Sequence, residues 1–147
     1  MADQIRKARA TWSGNLADGR GTVAAGTSGA FPELPTTWSS RTEASEGRTS
    51  PEELLAAAHA SCFSMAFSNQ LSRAGFVPDR VEVTATVTFR RLEAWTVIAS
   101  RLDVSGWVKG IKKAQFDEIA NNAKDTCPIS RAIKGNVELS VKATLKR

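Results

Sequence analysis

Cysteine and histidine are scarce in this chain, whose 147 residues hold two Cys and one His. A structural zinc needs four thiolate or imidazole ligands, so three such residues exclude one, and neither a metal nor another cofactor is expected. Long apolar runs are missing as well. The opening Met1-Ala2-Asp3-Gln4-Ile5-Arg6-Lys7 is charged with no hydrophobic stretch behind it, which predicts no secretory signal, no membrane span and a cytoplasmic location. Two common enzyme signatures are absent too. No Gly-x-Ser-x-Gly elbow occurs, since Gly26-Thr27-Ser28-Gly29 has the wrong spacing, and the lone His59 stands against a Ser-His-Asp hydrolase. The glycines at 19, 21 and 26 do not spell a dinucleotide fingerprint. Neither an internal repeat nor a low-complexity tract is present.

Charge is present but not concentrated. The formal net charge is +5, yet Lys109, Lys112 and Lys113 form the only tight lysine group and Arg90-Arg91 the only notable pair. No aromatic residues alternate with them as a single-strand binder requires, so a solvated basic surface is expected and no nucleic-acid partner. Such a field favours anionic reactants or an acidic carrier domain.

The length suits a single domain over residues 1–147, able to bury about two-thirds of its unfolded surface. Residues 7–13 alternate, Gly14-Asn15 and Asp18-Gly19-Arg20-Gly21 punctuate, and Thr22-Val23-Ala24-Ala25 runs back, a hairpin pattern. From Gly26 to Arg48 the chain reads as loop, with a short strand near Thr36-Thr37-Trp38-Ser39. Ser50 then caps a long helix, with Pro51 at its first position and Glu53 completing a capping box, and Ala74-Gly75 stops it. From Leu54 to Phe67 nearly every residue is apolar or small, which predicts a helix covered on all sides, in part by a second copy of the chain. Residues 81–89 and 95–107 read as an antiparallel strand pair. A helix over about Lys113 to Lys124, a short one opened by Pro128, and a final strand over residues 137–145 complete an α+β domain.

The two cysteines stand in chemically pointed places. Cys62 lies inside the apolar helix and Cys127 directly precedes Pro128. In a reducing compartment a lone pair of cysteines is seldom a permanent staple, which points to redox chemistry. A thiol that attacks an electrophile needs one sulfur in a defined pocket and a second that reaches it and closes a disulfide. Position alone leaves the roles open. Cys127 sits at a helix cap, where free amides favour a thiolate, whereas Cys62 lies about three turns into its helix and needs a fixed cation. Arg41 and Arg20, in loop sequence upstream, are the candidates, and Glu52 is placed to hold the guanidinium by a two-pronged contact. His59 shares the helix side of Cys62, where it either tunes the thiol or packs as a hydrogen-bonded core residue. The non-catalytic alternative is a dimeric stress-response ligand-binding module whose cysteines are packing residues.

Thr49-Ser50-Pro51-Glu52-Glu53-Leu54, His59-Ala60-Ser61-Cys62-Phe63-Ser64-Met65, Ala74-Gly75-Phe76 and Asp125-Thr126-Cys127-Pro128-Ile129-Ser130 together resemble the OsmC/Ohr family of thiol-dependent peroxidases. The likeness extends to Trp12-Ser13-Gly14 and Gly19-Arg20-Gly21-Thr22-Val23, and the His-Ala-Ser-Cys form is similar to the osmotically inducible OsmC branch. It implies antiparallel sheets around a long buried central helix in an intertwined homodimer. It also implies a two-cysteine peroxidase that reduces organic hydroperoxides, with Cys62 peroxidatic and Cys127 resolving. Glu52 and Arg41 would be the activating pair, Arg20 occupying the position used in the sister branch. A dithiol reductant such as a lipoyl carrier protein would restore the thiols. His59, Phe63 and Met65, close to Cys62, are expected to line a pocket for the organic group. Ten residues separate Glu52 from Cys62, about 15 Å along one helix, so the Arg-Glu pair is expected to serve the thiol of the other subunit.

Overall fold

The computed structural model describes all 147 residues, which divide into two compact units, Met1–Leu54 and Leu55–Arg147. In the first unit β1 (Ala8–Ser13) pairs antiparallel with β2 (Arg20–Ala25), and β2 with β3 (Leu34–Thr36). The β1–β2 turn depends on Gly19. An added Cβ there would sit 2.2 Å from the Asn15 carbonyl oxygen and 2.7 Å from that of Ser13, so only glycine fits. Residues 38–42 form a short helix, α1 (Trp38–Thr42), where the sequence predicts strand as far as Ser39 and loop beyond it. The reason is a capping box: the Ser40 amide donates to Thr37 Oγ1 and the Thr37 amide to Ser40 Oγ, both at 3.1 Å.

Helix α2 (Pro51–Arg73) opens at the end of this unit and runs on into the second. Half of its expected capping box forms. The Glu53 amide donates to Ser50 Oγ at 3.1 Å, but the Glu53 carboxylate accepts from Thr49 Oγ1 at 2.6 Å. At the other end Gly75 has φ +89°, and the Phe76 and Gly75 amides donate to the Leu71 and Ser72 carbonyls. That is a Schellman stop, with Leu71 and Phe76 both joining the core.

In the second unit His59, Phe63, Phe67 and Leu71 recur every fourth residue along α2 and are all fully buried. The opposite face behaves otherwise. Ala57, Ala58, Ser61, Met65 and Asn69 are exposed, so a single chain covers α2 on one side only. β4 (Arg80–Arg91) pairs antiparallel with β5 (Trp95–Trp107), with a bulge at Thr88/Phe89. β6 (Glu138–Lys146) joins β5 in parallel, which makes this sheet mixed where antiparallel pairing was expected. The crossover through α3 (Lys113–Thr126) and α4 (Pro128–Ile133) returns the chain in the direction of β5 and so enforces that pairing. Phe116 of α3 packs edge-on against Phe67, with ring centres 5.1 Å apart, at the middle of the core. The architecture is α+β, and no helix is long and apolar enough to cross a membrane.

Candidate functional site

Cys62 is half-buried on α2, whereas Cys127 is completely buried at the corner between α3 and α4. That corner fixes Cys127 through its backbone. Its amide donates to the Ala123 carbonyl at 2.8 Å and its carbonyl accepts from the Arg131 amide at 2.9 Å, so one residue closes α3 and opens α4. Both thiols are free, and they are neighbours. Burial pushes the Cys62 thiol above its ordinary value, the Ile129 backbone amide opposes this by donating to the sulfur, and the Cys127 thiol adds to the rise. An amide of the α4 N-terminus, the place the sequence gives to Cys127, thus donates to Cys62. Ile129 is a contributor that sequence reasoning missed, because a backbone donor leaves no mark in residue identity.

Two polar contacts bracket the sulfur pair. One turn before Cys62, the His59 ring is sealed between two hydroxyls, with Nδ1 2.7 Å from Ser100 Oγ of β5 and Nε2 2.8 Å from Ser130 Oγ of α4. Two turns after Cys62, Gln70 Nε2 donates to Thr126 Oγ1 at 2.6 Å. Burial lowers the His59 pKa, which keeps the ring neutral, one nitrogen donating and the other accepting.

A cavity of about 760 Å³ opens beside Cys62, walled by Met65, Ala66, Arg73, Ile119 and Pro128 among others. Met65 therefore lines the space next to the thiol. His59 and Phe63 do not, because helical spacing turns them inward, His59 onto its serines and Phe63 into the aromatic core against Phe67.

In the first unit Arg41 and Glu52, singled out from sequence, meet in a two-pronged pair. Nη2 donates to Oε1 at 2.6 Å and Nε to Oε2 at 3.2 Å. Glu52 stands in the first turn of α2, Arg41 in the last turn of α1, and the guanidinium lies 5.3 Å from the Trp38 ring centre. A largely apolar cavity of about 520 Å³ has Arg41 in its wall, with Trp12, Leu16, Val23, Trp38 and Leu54. Arg20, at the start of β2, is exposed and lines a different, more polar hollow. No group of three or more His, Cys, Asp or Glu converges as a metal site would require.

The family profile described as OsmC-like protein matches residues 44–142. The peroxiredoxin OsmC of Escherichia coli (strain K12) is 40% identical over 137 residues, covering 91% of this chain and 93% of its own. An organic hydroperoxide resistance protein-like 1 of Staphylococcus epidermidis is 34% identical over 97 residues, 63% of this chain and 67% of its own. Among solved structures, the organic hydroperoxide resistance protein OhrB of Bacillus subtilis superposes with a TM-score of 0.74 at 24% identity, over 94% of this chain and 98% of that one. The organic hydroperoxide resistance protein of Elizabethkingia anophelis gives 0.77 at 22% identity, over 99% and 100%. At those identities the structures speak for the fold.

Proposed function

The chain belongs to the OsmC-like protein family, and from that premise we propose that it is a thiol-dependent peroxidase that reduces organic hydroperoxides to alcohols through Cys62 and Cys127. The observation that carries this reading is the adjacency of the two free thiols, one half-buried beside a cavity and one completely buried. The names of relatives, a peroxiredoxin and hydroperoxide resistance proteins, support the same reaction class.

In the proposed cycle the Cys62 thiolate attacks the outer peroxide oxygen. The S–O bond forms as the O–O bond breaks, and the departing alkoxide takes a proton and leaves as the alcohol. The Cys127 sulfur then attacks the Cys62 sulfenic acid, forming the disulfide and releasing water. A dithiol such as lipoyl on a carrier protein, available in the cytoplasm, returns both thiols by exchange.

The proposed activator of Cys62 is the Arg41–Glu52 pair. Burial works against the thiolate, one amide offsets it in part, and a guanidinium oriented by a carboxylate supplies the remaining stabilisation. Ten residues of one continuous helix separate Glu52 from Cys62, so the pair is proposed to act on the thiol of a second subunit in a two-fold homodimer. The apolar cavity with Arg41 in its wall would then receive the organic group of the peroxide.

The test is turnover of cumene hydroperoxide with dihydrolipoamide by the intact protein and by Cys127→Ser. The wild type is expected to cycle, and the variant to consume peroxide stoichiometrically and stall. Unchanged turnover in Cys127→Ser would overturn the two-cysteine scheme, and no consumption by reduced wild type would overturn the peroxidase reading.

A further inference from the structure

Cys127 is completely buried, yet it must meet a sulfenic acid on a different helix before a second peroxide does. A resolving thiol on a free loop would lose that race often. Here the segment from Thr126 to Ser130 is fastened to α2 on both sides of the reacting sulfur. Ser130 is held by His59, three residues before Cys62, and Thr126 is held by Gln70, eight residues after it. His59 is itself fixed from behind by Ser100 of β5, so the first fastening ties α4 through the helix to the sheet. All five residues of these contacts lie in one compact unit.

We infer that His59 with Ser130, and Gln70 with Thr126, are positioning pairs that hold the resolving segment against α2 and so commit the oxidised Cys62 to disulfide formation over further oxidation. This rests on the peroxidase reading above and concerns its second step. The His59 ring need not exchange a proton in that step, since its neutral form already satisfies both hydroxyls. Two outcomes compete once the sulfenic acid has formed. In one, the Cys127 thiol attacks it, an S–S bond forms and water leaves. In the other, the Cys62 sulfenate attacks a second hydroperoxide, takes up one oxygen as sulfinate and releases a second alcohol, and Cys62 is then lost to the cycle. Loosening either fastening slows only the first outcome.

Ser130→Ala removes one hydroxyl and leaves the Cys62 cavity wall intact, since Ser130 does not line it. Thr126→Val removes the other contact, together with the bond that Thr126 Oγ1 donates to the Asn122 carbonyl at 3.0 Å, without changing shape, and Thr126→Ser restores the hydroxyl. The reduced proteins are mixed with cumene hydroperoxide and followed by stopped flow, then Cys62 is assayed for disulfide and sulfinate by mass spectrometry over a range of peroxide doses. With one net hydrogen bond lost, the sulfinate-to-disulfide ratio is expected to rise about fivefold in Ser130→Ala, to rise at least as far in Thr126→Val, and to return toward wild type in Thr126→Ser. Because the ratio is set after Cys62 has been oxidised, a slower first phase in Ser130→Ala, where the Ile129 amide neighbours the change, does not move it. Should both losses of hydroxyl leave the ratio unchanged while the first phase is present, the positioning role is wrong and the peroxidase reading stands. Absence of the first phase in wild type would instead remove the peroxidase reading. Thermal unfolding of each variant separates a general loss of stability, which a purely structural contact would produce without moving the ratio.

Discussion

The chemistry turns on a few side chains whose surroundings set their charge. Cys62 is held back by burial and by its neighbour thiol, and helped by the Ile129 amide. In the proposed site the Arg41 guanidinium lowers the Cys62 pKa, so Arg41→Met is expected to reduce the rate of peroxide attack at neutral pH by at least about tenfold. The loss should shrink as pH rises and the thiolate forms without help, and a pH–rate profile checks this. An unshifted profile would separate Arg41 from the thiol. His59 carries a second pH dependence. Its folded pKa lies below 6.5, so the unfolded chain takes up the proton first, and stability falls as pH drops through about 6.5 and on to the folded value. In His59→Asn that part of the slope disappears, as denaturant midpoints at about pH 7 and about pH 5 would show.

Among elements, β5 fits against α3 closely enough to register a small change. A methyl group on Gly106 would stand 2.7 Å from two ring atoms of Phe116, which is fully buried and braced by Phe67. Gly106→Ala is expected to cost about 1–3 kcal/mol, read as a lowered Tm, with little change if the ring finds room to turn. The elements themselves were largely legible in the sequence. Ser50-Pro51 and Ala74-Gly75 mark the ends of α2, alternation marks β4 and β5, and Pro128 marks α4, because these signals act over a few residues. What failed depends on distant partners. Residues 38–39 looked extended until Thr37 and Ser40 exchanged hydrogen bonds, and the direction of β6 is decided by a crossover of two helices. The cysteines, Glu52 and the two candidates Arg41 and Arg20 could be named from residue type and position, with the resemblance favouring Arg41, but the inward turn of His59 and Phe63 follows from which face of α2 the sheet and α3 cover. That choice is tertiary.

On the scale of the whole molecule, the uncovered face of α2 is the outstanding feature. Ala57, Ala58, Ser61 and Met65 form a stripe of small and apolar residues on the helix that carries the reactive thiol, with Met65 64% exposed. In the proposed homodimer this stripe is where the second subunit packs. Ala58→Arg is expected to yield monomers by sedimentation and to abolish turnover, and a fully active monomer would refute the shared site. Complementation probes the same arrangement chemically. Cys62→Ser and Glu52→Ala chains, each inactive alone, should regain activity when mixed as heterodimers, and failure to do so would place the activating pair and the thiol within one subunit.

The account rests on two sulfurs close enough to join during turnover. Its most direct measurement is peptide mapping of reduced wild-type protein after one equivalent of cumene hydroperoxide, with free thiols blocked before digestion. A linked peptide pair joining Cys62 to Cys127 within one chain is the predicted product. Recovery of both cysteines as separate blocked thiols, or of Cys62 oxidised with Cys127 still reduced, would contradict it.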